Sequence, residues 1–178
     1  REVEEVLRRI KEMVKRIEEL VRRSEDRAKK LVDTNRDLVR RSEERFRELV
    51  KEIEDVAREG VDEKELDKIR KKVKKESDKS KRTLEESLER VEEDSKRVED
   101  ELERILREIK EEVDRMREEG VDVEELERVL REVEKVVRDV RRRNEKATRD
   151  VRRSVEESRR LDKRALDEVR KRIEEVRT

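Results

Sequence analysis

The side chains in this sequence best suited to covalent chemistry are its serines: Ser24, Ser42, Ser77, Ser80, Ser87, Ser95, Ser154 and Ser158. A serine hydroxyl becomes a nucleophile when a neighbouring base takes its proton. The sequence contains no His and no Cys, and no Lys falls at a seam position beside these serines. The carboxylates, 55 Asp and Glu in all, could in principle hold metal ions. Helical bundles that do so place inward Glu residues with Glu-x-x-His motifs, and without His that set cannot be built. Gly60 and Gly120 are the only glycines, too few for a phosphate-cradling or dinucleotide loop. The chemistry left to Ser, Thr and Asn is hydrogen bonding, so no enzyme, no cofactor and no metal are expected.

Binding functions are weighed in the same way. The run VRRRNEKATRDVRR, from Val140 to Arg153, is basic and could contact phosphates nonspecifically. Yet the middle third of the chain carries an acidic excess, and the stretch from Glu85 to Glu103 that would lie opposite is rich in Glu and Asp. Pairing within the molecule is the expected use of that charge. With Phe46 as the lone aromatic residue, bases have almost no stacking platform, so nucleic acid is not an expected partner. No apolar stretch approaches the roughly 18 residues of a membrane span and no aromatic-rich apolar face suits a membrane surface, so neither a membrane partner nor a signal peptide before the first helix is expected.

These side chains must be positioned by helices. Gly60 and Gly120 sit in the same phrase, EGVDEKELDKI and EGVDVEELERV. Each reads as a helix stop followed at once by a helix start. Gly60 and Gly120 suit the left-handed residue past a helix end, and Val61 and Val121 can fold back onto the preceding turn. Asp62 and Asp122 are N-caps, with Glu65 and Glu125 three residues on to complete reciprocal caps. Val61 with Leu66, and Val121 with Leu126, have the spacing of a hydrophobic staple. Such short loops join antiparallel neighbours. The predicted helices run from about 2 to 58, 63 to 118 and 123 to 177, in a single domain spanning 1–178.

The apolar row of the second helix runs from Leu66 to Met116, 50 residues in 14 steps of about 3.57. That period lies between the coiled-coil and straight-helix values, so the predicted helices are long and nearly straight. On the surface, Glu4–Arg8, Glu12–Arg16, Glu18–Arg22, Glu25–Lys29 and Glu43–Arg47 have i,i+4 spacing, each pair worth about 0.2–0.5 kcal/mol. Val6, Met13 and Leu20 widen the apolar stripe on one flank, and Val32, Val39, Phe46 and Ile53 on the other. A fourth helix or a second copy could dock on such a stripe. Sideways drift of a straight helix accounts for it without a partner.

Apart from Thr178, every Ser, Thr and Asn lies in one of three windows: Ser24 to Ser42, Ser77 to Ser95, and Asn144 to Ser158. Folding at the two glycines sets residue i of the first helix level with about 120 − i on the second and 120 + i on the third, and the windows then superimpose. Ser24, Ser95 and Asn144 share a layer; Asn35, Ser87 and Ser154 the next; Ser42, Ser77, Ser80 and Ser158 a third. Buried hydroxyls and amides cost roughly 1–3 kcal/mol when unpaired and little when paired. A slipped helix would break every layer together, so the layers specify register and pairing.

Composition points to how such a chain arises. His, Gln, Pro, Trp, Tyr and Cys are absent, while Lys+Arg and Asp+Glu are both 55. At an average Pro usage of about 5%, a natural chain this long would lack it about once in ten thousand. The repeated EGVD loop, the straight seam and the polar layers resemble computationally designed helical bundles that carry modular hydrogen-bond networks at core layers. The resemblance covers the whole chain, with the departure that related designs often use Gln. It implies an all-α, antiparallel up-down-up three-helix bundle without natural activity, serving as a soluble structural scaffold. Such a protein has no natural location and is expected in the cytoplasm of a recombinant host. The alternative is a designed binding module, or a subunit of a homo- or hetero-oligomeric helical assembly. No partner is required, and self-association or a designed helical partner is the possible exception.

Overall fold

The computed structural model describes residues 2–177, and they form three α-helices: α1 (Glu2–Glu59), α2 (Glu63–Glu118) and α3 (Glu124–Arg177). Nothing interrupts them, because the chain has no Pro and both glycines fall between helices. The first turns carry Glu2, Glu4 and Glu5, then Glu63 and Glu65, then Glu124, Glu125 and Glu127. The last turns carry Arg58, then Arg115 and Arg117, then Arg177, so each end opposes its helix dipole.

The two matching phrases close differently. At the second, the Val121 amide donates to the Met116 carbonyl and the Gly120 amide to that of Arg117, both at 3.1 Å. This is the paired ending that a left-handed glycine permits, and φ at Gly120 is 80°. Val121 packs against the core and Val123 is buried. At the first phrase φ of Gly60 is 103°, the paired ending is not formed, and Val61 is 49% exposed. Val61 therefore does not make the expected staple. Among the differences between the phrases, Glu63 stands where the second has Val123 and cannot follow it into an apolar core. Oδ1 of Asp62 accepts from the backbone N–H of Lys64 at 3.0 Å, and Oδ1 of Asp122 from that of Glu124 at 3.1 Å. Glu65 pairs with Lys68 at 3.4 Å instead of returning to its cap.

The chain divides into two compact units, each taking a share of all three helices. Unit one comprises Arg1–Lys29 and Val91–Arg149. Its core includes Ile10, Ile17, Val21, Val98, Leu102, Ile109, Leu126 and Val137, with Leu7, Met13 and Leu20 packed against it. Unit two comprises Lys30–Arg90 and Asp150–Thr178, and its core includes Phe46, Leu49, Ile53, Ile69, Val73, Val169 and Ile173. Fully burying one such Val, Leu, Ile or Phe side chain contributes about 1.5–3 kcal/mol.

Within each unit the helices alternate in direction. In unit one, Arg9 pairs with Glu112, Arg27 with Asp94 and Arg143 with Glu25. In unit two, Lys72 pairs with Glu52 and Arg177 with Glu63. The fold is an antiparallel three-helix bundle. Local ion pairing departs from expectation. Several pairs along single helices are i,i+3, such as Arg40–Asp37 and Arg45–Glu48, with Arg23–Glu19 at i,i+4, and Glu25 turns to Arg143 instead of Lys29. The interhelical partner wins because both of its ends, 39% and 31% exposed, are partly withdrawn from water and less screened.

Candidate functional site

Three polar clusters interrupt the apolar seam. In unit one, Asn144 Nδ2 donates to both the backbone oxygen and Oγ of Ser95, each at 3.2 Å. Ser24 does not join them. Its hydroxyl donates to Asp94 Oδ2 at 2.9 Å, while Arg27 donates to Oδ1 of the same carboxylate at 2.7 Å. Asp94 thus has one donor on each oxygen, one of them cationic, which offsets the cost of a side chain only 14% exposed. Ser24 and Asn144 are buried, whereas Ser95 is half-buried at the edge. Thr148 is buried one turn further along α3 and donates to the Asn144 carbonyl at 2.9 Å.

Unit two holds a cluster that joins all three helices through one side chain. Asn35 of α1 is fully buried. Its Oδ1 accepts from the Ser87 hydroxyl of α2 at 3.0 Å, and its Nδ2 donates to Ser154 Oγ of α3 at 3.4 Å. A carboxamide suits this position because it offers acceptor and donor on opposite arms. An apolar seam residue here would leave two buried hydroxyls to find other partners.

The remaining cluster, also in unit two, pairs Ser42 Oγ with Ser80 Oγ at 3.3 Å. Ser158 is buried, but Ser77 is half-buried and lines a surface groove with Arg70, Val73 and Lys74. The third helix also contributes Asp162. Both of its carboxyl oxygens are out of contact with solvent, and neither has a hydrogen-bond partner. Burial is the main force raising its pKa above the ordinary aspartate value. The Ser80 and Ser42 hydroxyls pull the other way, although neither meets the carboxyl at bonding geometry, and Glu43 and Glu76 push it further up.

Asp94, Arg27, Thr148 and Asp162 are the participants that reading the uncharged seam overlooks. Asp94 and Thr148 each adjoin a seam residue, Ser95 and Ala147. Asp162 follows Ser158 by four residues, a full helical turn. The apolar pattern draws attention instead to Leu161, which is 41% exposed.

Two arginines of the basic run of α3 are paired within unit one. Arg141 Nε donates to Glu99 at 2.7 Å, and Arg143 binds Glu25, whose hydrogen bond holds the guanidinium pKa above its usual value. Near the other end of α3, Arg177 binds Glu63 at 2.8 Å and holds that carboxyl below its usual range. Among the described residues, no three acidic, His or Cys side chains come together to hold a metal ion, and no helix is long and apolar enough to cross a membrane.

Three helices with cores on their inward faces and polar clusters between them define the class: an all-α, antiparallel three-helix bundle. Among solved structures, the chain is similar to one described as a computationally designed three helix bundle. The TM-score is 0.62 and the identity 18%, covering 99% of this chain and 95% of the other. No known protein family matches the sequence, and no curated protein does.

Proposed function

We propose that this chain is a designed structural scaffold, a single folded domain whose buried Ser, Thr and Asn side chains specify helix register and pairing. The observation that carries the reading is Asn35, which takes one hydrogen bond from α2 and gives one to α3. A shift of any helix by one turn, about 5.4 Å, removes at least one of these partners. Design origin is supported by the missing residue types, by a loop phrase that trisects the chain, and by similarity to a designed bundle of the same architecture. The chain has no His, and the carboxylate that accepts from Ser24, Asp94, is itself held by Arg27, which supports a protein that is not an enzyme. Val61 and Leu161 are the exposed large apolar side chains among the described residues, and they lie far apart in sequence, which supports a soluble protein that needs no partner.

Cysteine pairs test this reading. One pair is set at facing surface positions of α1 and α2 in the native register, and another one heptad out of register. With Asn35, Ser87 and Ser154 intact, the native pair alone should cross-link. Replacing the three by Leu, Ala and Ala should let both pairs form. Equal cross-linking of both pairs in the intact protein refutes the register role.

A further inference from the structure

Register does not explain Asp162. A carboxyl group contributes little to helix pairing when its oxygens have no partner, yet both lie inside unit two. The groups around it suggest another use. Ser42 of α1 and Ser80 of α2 hold their hydroxyl oxygens 3.3 Å apart, and either can donate. Glu43 of α1 and Glu76 of α2 act on it from the neighbouring helices, and both are acidic. No Lys or Arg among the described residues forms an ion pair with it, in contrast to Asp94 with its Arg27.

The ionised form would leave a carboxylate with no donor on either oxygen, shielded from solvent beside two glutamates. The neutral acid needs no cationic partner and carries a donor of its own, next to hydroxyls that can accept.

We propose that the Asp162–Ser42–Ser80 cluster is a proton-binding site, in which Asp162 is held as the neutral acid and unit two takes up a proton when it folds. The consequence is opposite to that of a salt-bridged carboxylate. An acid raised above its unfolded value stabilises the fold fully below the ordinary aspartate value of 3.8, and this contribution is lost as pH rises through the folded value. Between those two points the folding constant falls about tenfold per pH unit on account of this group.

The direct test is a carboxyl-carbon NMR titration of the full chain labelled at Asp. Asp162 should remain protonated after the exposed aspartates have ionised. Asp162→Asn, a neutral side chain of the same shape with its own donor, supplies the second reading. Relative to this variant, wild type should lose unfolding midpoint steadily as pH rises and match it most closely in acid. A carboxyl that titrates together with the exposed aspartates overturns the proposal, as do parallel pH curves for the two proteins. If D162N does not fold, the titration of the native chain decides alone.

Discussion

Truncating Asn35 to Ala removes the one side chain that bonds to both other helices of its cluster. Each satisfied bond contributes about 1 kcal/mol net, and the Nδ2 contact at 3.4 Å belongs at the weak end. The larger effect is on what remains. The Ser87 hydroxyl loses its acceptor and Ser154 loses its donor, at sites 3% and 8% exposed. An orphaned buried group costs about 1–3 kcal/mol. Part of this is recovered, because a helical hydroxyl can turn to the carbonyl four residues back, as Thr83 and Thr148 do. The expected loss for Asn35→Ala is therefore about 2–4 kcal/mol, read from urea unfolding followed by circular dichroism. Adding Ser87→Ala and Ser154→Ala should return part of that loss, since no hydroxyl is then left unpaired. In a double-mutant cycle Asn35 and Ser87 should couple by about 1 kcal/mol. A loss below about 0.5 kcal/mol, the range of an ordinary surface change, would refute the hydrogen-bond argument.

Other consequences follow from the remaining clusters and turns. Replacing Ser24 and Ser95 with Val and Asn144 with Leu should hold or raise the melting temperature, because apolar burial replaces hydrogen bonds of small net worth and Asp94 keeps Arg27; collapse of the fold would count against the argument. Gly60→Ala and Gly120→Ala should each cost about 1–2 kcal/mol by thermal unfolding. Nothing lies within 4 Å of either added methyl, so that cost is backbone conformation alone, and a neutral outcome at either site would show that the turn can relax. Arg143→Ala should lose less than about 1 kcal/mol and the loss should shrink in 1 M salt, since the pair with Glu25 is partly exposed; a larger, salt-independent loss would show packing, not charge, to be the contribution.

The helices and their antiparallel order were legible because few signals competed. Glycine occurs only at the two turns, and the apolar residues keep one period over 50 residues of α2. What reading the sequence missed lies with charged residues near the seam. Nearly two-thirds of the chain is charged, at 62%, so one more Asp carries no signal of its own. Whether it points inward depends on small rotations of the helix that periodicity does not resolve. Asp94 turns in to meet Ser24, and Asp162 takes the inward position that its apolar neighbour Leu161 leaves. The hydrogen-bond pattern was equally out of reach. Matching heights place Ser24, Ser95 and Asn144 together, yet Ser24 bonds to the Asp94 carboxylate, a stronger acceptor than a hydroxyl or an amide. The two loops show the same limit. The shared EGVD phrase does not tell them apart, yet Val121 is drawn against the core while Val61 stays exposed.

Hydrogen exchange at the Asn35 side-chain amide probes the cluster most directly. Enclosed between α2 and α3 and donating to Ser154, those protons should exchange as slowly as the neighbouring core backbone amides, opening when the surrounding unit unfolds. Exchange at the rate of a free asparagine would mean that the carboxamide faces water, and the polar side chains could then not be what holds the helices in register.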